Sequence, residues 1–270
     1  MREAVIVSTA RTPIGKAYRG AFNMTPTPTL AGHVIAHAVE RAGIDPARIE
    51  DVVMGAALQQ GTNFMNVARN AAIRAGLPVT VAGQSIDRQC ASGMMGIAIA
   101  AKQIISDGMD VTIGGGVESI SMNQVQQAFQ TPDAWLREHK PALYMTMLET
   151  AENVAERYNV TREAQDEYAL QSQQRTAAGQ DAGRFDAEIV AMSTTMGVMN
   201  KETKEISHQD VTLEKDEGNR PSTKLENLSG LQPVFANGQV VQQGKYITAG
   251  NASQLSDGAS ASVLMEASAA

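Results

Sequence analysis

The eleven residues from Ala91 to Ala101, ASGMMGIAIAA, carry no charged side chain. A helix on a protein surface keeps one polar face for water; this stretch has none to offer, so it is expected to be a helix buried all round, with a layer of structure on each side. Its length is about half of what a membrane-spanning helix requires, which leaves a protein interior as its environment. The flanking residues show what those layers are. Ala4 to Thr9 is a short Val/Ile-rich run followed by the turn-like Arg11-Thr12-Pro13-Ile14-Gly15, hence strand then loop. Leu30, Val34, Ile35, Ala38, Val39 and Ala42 recur at three- and four-residue steps before Gly43, hence an amphipathic helix with a glycine stop. Val52 to Gly55 reads as a strand, Asn66 to Ala75 as a short helix, Val79 to Ile86 and Met109 to Ile113 as further strands, the last ending in Gly114-Gly115-Gly116. Strands alternating with helices imply crossover connections, and so an α/β fold with a mostly parallel or mixed sheet and helices on both faces.

After Ser119 the sequence turns polar and Gln-rich and contains the single tryptophan, Trp135. Thr150 to Tyr158 and Thr161 to Ala178 read as helices, the second with Thr161 as N-cap and Glu163 in its first turn. Lys215 to Gln243, rich in Gly, Pro and Asn, reads as loop. Ala249 to Leu255 is a compact polar turn, and Ala259 to Met265 resembles a strand returning to the first core. These signals divide the chain into a core at 1–118, an inserted α-rich loop domain at 119–248 and a returning strand at 249–270.

Charge and cysteine content narrow the function. A net charge of −7 without any basic run argues against nucleic acid, though it leaves room for one anionic substrate held by a few placed cations. One cysteine, Cys90, excludes an internal disulfide and a cysteine-built metal centre. The first residues lack the cationic start and the apolar core of roughly 7–15 residues that a signal peptide needs, so the cytoplasm is the expected compartment and no membrane is involved.

Cys90 stands between a strand and the first turn of the uncharged helix, where unpaired backbone N–H groups and the positive end of the helix dipole favour a thiolate. From position alone, a nucleophile and a buried structural thiol are equally good readings. Ser92 and Gly93 behind it are small enough for a thioester to approach the backbone. Of the four histidines, His33 and His37 are four apart on the first helix, but no further ligand pattern accompanies them, and a solvated helix edge is expected rather than a metal site. His139 and His208 lie in polar segments without a motif. "IGGGVES" lacks the Lys-Ser/Thr of a phosphate loop and the spacing of a dinucleotide fingerprint, so its glycines are expected to serve bending or close packing.

Several motifs together resemble the thiolase family: "RTPIGK", "CASGMMGIAIA", "GGGVESIS", "TAENVAERYNVTREAQDEYALQSQ", "GRFDAEIV" and "TAGNASQLSDGASASVLM". The resemblance implies acyl transfer between coenzyme A thioesters through a Cys thioester, with no cofactor and no metal, coenzyme A and acyl-CoA being substrates. It assigns the acyl group to Cys90, nucleotide contacts of coenzyme A to Arg220, the lining of the pantetheine arm to Ala249 and Ser253, and the border of the acyl pocket to Met147. Where biosynthetic members carry His-Met-Gly, this chain has Thr146-Met147-Leu148, which removes a histidine contact.

The resemblance also implies a second domain that repeats the first and supplies "NEAF", "GHP" and "CxGxG"-type motifs. None of these occurs among the 270 residues. The reading is therefore of an N-terminal core plus loop domain, with the second repeat missing and with homo-oligomerisation or a partner supplying it. Deprived of one cover, the uncharged helix is expected to promote aggregation or association. The alternatives are a non-catalytic acyl-CoA-binding module, an inactive fragment, or a Cys-dependent thioesterase. Ketoacyl synthases fit less well because they lack the long insert between "GGGVES" and "TAGNAS".

Overall fold

The computed structural model describes residues 2–124 and 131–270. In chain order the elements are β1 (Ala4–Arg11), β2 (Gly15–Lys16), α1 (Thr27–Ala42), β3 (Asp51–Gly55), α2 (Val67–Arg74), β4 (Ala82–Ile86), α3 (Ser92–Ser106), β5 (Val111–Ser119), α4 (Ile120–Asn123), α5 (Ala134–His139), α6 (Met147–Tyr158), α7 (Arg162–Asp181), β6 (Met192–Met199), β7 (Ile206–Leu213), α8 (Leu225–Ser229) and β8 (Ser256–Glu266). Two compact units form: the first from 1–127, 186–218 and 255–270, the second from 128–185 and 219–254. This division differs from the one drawn on the sequence at 119–248. The β6–β7 hairpin inside that range belongs to the first unit, because Met192 and Leu213 pack into its core.

The first unit is built on a sheet ordered β1-β8-β5-β3-β4, with β2 added beside β8. β3 pairs in parallel with β4 and β5, whereas β8 runs antiparallel to β1 and β5, so the sheet is mixed. The antiparallel share comes from the returning strand β8, which lies between β1 and β5 and runs opposite to both. Alternation along each strand sends side chains to opposite faces. Val52 and Met54 of β3, with Ala261, Val263 and Met265 of β8, join α1 and α2 in the larger core, while Val53 and Leu264 join Ala100 and Ile104 of α3 in a smaller one on the other face.

Local signals set several boundaries. α1 stops at Gly43, whose φ of 64° is the left-handed C-cap that glycine adopts without penalty. Thr161 caps α7 by accepting the Ala164 N–H at 3.2 Å. β5 continues through Gly114-Gly115-Gly116 to Ser119 instead of ending there, since the glycines retain full pairing with β3 and β8.

The expectation for α3 needs a correction. Ser92, Gly96, Ala100, Gln103 and Ile104 are buried against the sheet, but Met94 is 78% exposed and Ile105 43%. The helix is covered on one side, and its second apolar side faces outward in this chain.

Candidate active site

In the first unit, Cys90 sits on a tight turn between β4 and α3. Gln89 takes a left-handed φ of 49°, and its N–H donates to Asp87 Oδ1 at 2.7 Å. Ser92 locks the other side: its Oγ accepts the Arg88 N–H at 2.8 Å and donates to the Gln89 carbonyl at 2.5 Å. The turn is thus held by hydrogen bonds on either side of a cysteine that is itself exposed. In this chain the thiol is therefore open to solvent rather than packed in a core.

The glycines explain how α3 is placed. A Cβ at Gly55 would lie 2.1 Å from the Ser92 carbonyl carbon, one at Gly96 would lie 2.7 Å from the Gly115 carbonyl oxygen, and one at Gly114 would lie 2.5 Å from the Ile97 Cα. Helix and sheet touch backbone to backbone, which sets the height of the Cys90 turn above the ends of β3 and β5. This is the close-packing role expected for "IGGGVES". Beyond those glycines, Glu118 gathers the neighbouring loop: Oε2 accepts the Ala57 and Leu58 N–H groups at 2.9 and 3.0 Å, and Oε1 accepts Nδ2 of Asn63 and Asn123. The motif "RTPIGK" is tied down as well, Arg11 donating to Glu188 and to Asp216, each at 2.7 Å.

Arg220, Ala249, Ser253 and Met147 all fall in the second unit. Arg220 is fixed through its backbone: its N–H donates to Gln173 Oε1 at 2.7 Å, and its carbonyl accepts the Thr223 hydroxyl at 2.7 Å. Its side chain projects from an exposed residue. Ala249 and Ser253 are exposed on the "TAGNAS" turn, and Met147, at the first turn of α6, is 75% exposed. The turn is capped by Asn251, not by Ser253. Asn251 Oδ1 accepts the Thr248 N–H at 2.8 Å, and its Nδ2 donates to Asp166 Oδ1 at 3.0 Å and to the Tyr246 carbonyl at 2.9 Å. Among the described residues Ser253 Oγ meets only the Gln254 carbonyl, at 3.4 Å.

Sequence reasoning missed the frame beneath this turn. Two carboxylates three apart on α6 reach under the loop: Glu149 accepts the Val240 and Val241 N–H groups, and Glu152 those of Lys245, Tyr246 and Ile247. Both are almost fully buried. Burial pushes the Glu149 carboxyl up, but the backbone around Val240, Gln239 and Val241 outweighs it and holds the group below its ordinary value. The one available signal was the i, i+3 spacing of the two glutamates within "TAEN" and its preceding turn.

The histidines also depart from expectation. His33 is half-buried, not on a solvated edge, lies against the backbone of Val190 and Ala191, and its buried Nε2 has no hydrogen-bond partner among the described residues. Among the described residues no cluster of three or more His, Cys, Asp or Glu is arranged for a metal, and no helix is long and apolar enough to cross a membrane.

Residues 4–268 match the family described as "Thiolase, N-terminal domain". A 3-ketoacyl-CoA thiolase of Bacillus subtilis (strain 168) is 40% identical over 266 residues, which are 98% of this chain and 66% of that protein. An acetyl-CoA acetyltransferase of Cupriavidus necator is 38% identical over 282 residues, covering 100% of this chain and 67% of the relative. Mouse 3-ketoacyl-CoA thiolase A, a peroxisomal protein, is 36% identical and is covered to 61%. Among solved structures, the acetyl-CoA acetyltransferase of Bacillus anthracis superposes with a TM-score of 0.79 at 36% identity, over 99% of this chain and 66% of that one. The chain therefore spans about two-thirds or less of the length of these relatives.

Proposed function

The chain belongs to the thiolase family, and from that premise we propose that it takes part in acyl transfer between coenzyme A thioesters, with Cys90 as the residue that is acylated. The observation that carries this reading is the exposed Cys90 on a hydrogen-bonded turn ahead of a helix laid directly on the sheet. The Cys90 sulfur would bond to the acyl carbon as the bond from that carbon to the coenzyme A sulfur breaks, the thiol proton passing to the departing coenzyme A. Backbone N–H groups at the head of α3, including that of Cys90, would steady the oxyanion.

In the same reading Arg220 meets the nucleotide part of coenzyme A, Ala249 and Ser253 flank the pantetheine arm, and Met147 borders the acyl group. Two features support it: the "TAGNAS" turn is rigidly capped, and Arg220 is anchored through its backbone with its side chain projecting outward. Coenzyme A thioesters are the substrates, no cofactor is needed, and the cytoplasm, a reducing compartment, suits a free reactive thiol. Cys90 is the only cysteine in the 270 residues. A second cysteine acting as base would thus come from outside them, by way of a partner or a further segment, and acyl loading is the half-reaction assigned here. A homo-oligomer is the proposed working state.

The test is the intact mass of the chain after incubation with acetyl-CoA, with Cys90→Ala alongside. A single acetyl adduct that vanishes in the variant is expected. A folded chain that binds acetyl-CoA but forms no adduct would leave an acyl-CoA-binding module instead, and release of free acetate from the adduct would point to thioester hydrolysis.

A further inference from the structure

Away from Cys90, the first unit has an open pocket of ≈ 290 Å³ between α1, the end of α2 and the start of β6. Its ionisable lining is entirely basic: His33 and His37 from α1 and Arg74 from the last turn of α2. Thr29 and Ser193 add hydroxyls. In a chain of net charge −7 this is a local reversal of sign. Gly32 makes it possible, because a Cβ there would lie 2.9 Å from the Arg74 Cγ; without one, the arginine stem lies against α1 beside the histidines.

One of the three basic groups, Arg74, is without a partner among the described residues. Its exposed guanidinium makes no hydrogen bond or ion pair there, whereas the His33 ring lies against the backbone of Val190 and Ala191 with its Nε2 buried. The two imidazoles meet edge to face at 4.6 Å. Glu40 lies 3.4 Å from His37 Nδ1, but its side chain is 78% exposed and it is not part of the lining. Burial, then the neighbouring His37, holds His33 below its ordinary value, with the backbone at Val190 and Ala191 offsetting this in part. A guanidinium fork, two imidazoles and the Thr29 hydroxyl line one opening whose residues include no carboxylate, the Ser193 hydroxyl being paired with Thr212 Oγ1 at 2.8 Å.

We propose that this pocket binds the phosphoryl group of a small phosphorylated molecule or free phosphate, held by Arg74, His33 and His37. Such a ligand supplies the acceptor that Arg74 lacks, and its tetrahedral oxygens are reached from both α1 and α2. The proposal is independent of whether Cys90 is acylated.

The test follows the His33 and His37 ring resonances of the full chain by NMR during titration with inorganic phosphate, a sugar phosphate, malonate and zinc, at constant ionic strength maintained with chloride. Expected are saturable shifts of both rings with phosphate or the sugar phosphate, whichever source binds tighter. The affinity falls about tenfold in Arg74→Met, the loss of one charged hydrogen bond, with Arg74→Lys between the two. Arg74 is exposed, so neither variant disturbs the core. Shifts produced equally by chloride, tighter binding of malonate than of either phosphate, or a response to zinc alone that Arg74→Met leaves unchanged would each overturn the assignment.

Discussion

The two units are held together by different physics. The first buries a continuous apolar cluster drawn from α1, α2 and the sheet, and its closest contacts are backbone on backbone through glycines. In the second, buried side chains include few apolar ones, among them Ala155, Leu228, Phe235 and Ile247, together with three carboxylates, Glu149, Glu152 and Asp166. These carboxylates are satisfied by backbone N–H groups and by Arg162 and Asn251. Apolar burial is non-directional and tolerates a change of pH, whereas a carboxylate clamp orients a loop closely and depends on its charge. The proposed catalytic residue stands on the first kind of support, and the proposed coenzyme A contacts stand on the second.

The largest test of that contrast is Glu152→Ala, which strands the N–H groups of Lys245, Tyr246 and Ile247. It is expected to destabilise the second unit by about 3 kcal/mol or more, seen as loss of hydrogen-exchange protection over 238–247 with protection in β3 and β5 unchanged. Equal loss in both units would erase the distinction.

Gly55→Ala probes the other side. Its Cβ has no room beside Ser92, and overpacking of about 2–3 kcal/mol is expected, accompanied by slower acylation of Cys90 because the turn above it must move. A variant as stable as the parent would show that α3 does not depend on backbone contact.

Acidification should separate the units without any substitution. The Glu149 carboxyl is held below its ordinary value, so its contribution is present above the unfolded value near 4.5 and is lost as pH falls through the lower folded value. Asp257, buried at the start of β8, behaves in the opposite sense. Desolvation raises it from 3.8 despite hydrogen bonds from Ser121 and Ser119, so its contribution is present below that value and fades as pH rises through the folded one. Amides of 238–241 should therefore lose protection on going below about pH 4.5 while those near Ser119 and Ser121 keep theirs, as read by exchange at stepped pH.

The smallest effect is expected from Met94→Lys on the outward side of α3: stability within about 0.5 kcal/mol of the parent, with less self-association in sedimentation. A large loss of stability would mean that this face is covered in solution.

Much of the framework around the candidate site was legible in the sequence because its signals are local. Gly43 and Thr161 mark helix ends through their own backbone and side-chain chemistry, and Cys90 was located by the change from strand to uncharged helix. The β6–β7 hairpin was not legible. Its strands, such as MSTTMGVM, are only partly buried and mix polar with apolar positions, so neither period stands out. Glu149, Glu152 and Asn251 were equally hidden, since a carboxylate on a helix reads as a solvated charge until the loop that covers it is known.

The sequence by itself determined the alternation of strands and helices, the position of the single nucleophile candidate and the family, all of which reside in neighbouring residues or in ordered motifs. Only the tertiary structure decided that β8 enters between β1 and β5, that α3 is covered on one side in this chain, and that the "TAGNAS" turn rests on buried carboxylates. Those features depend on which distant segments meet. A residue's type states what environment it needs, but the environment is supplied by chain far away in sequence.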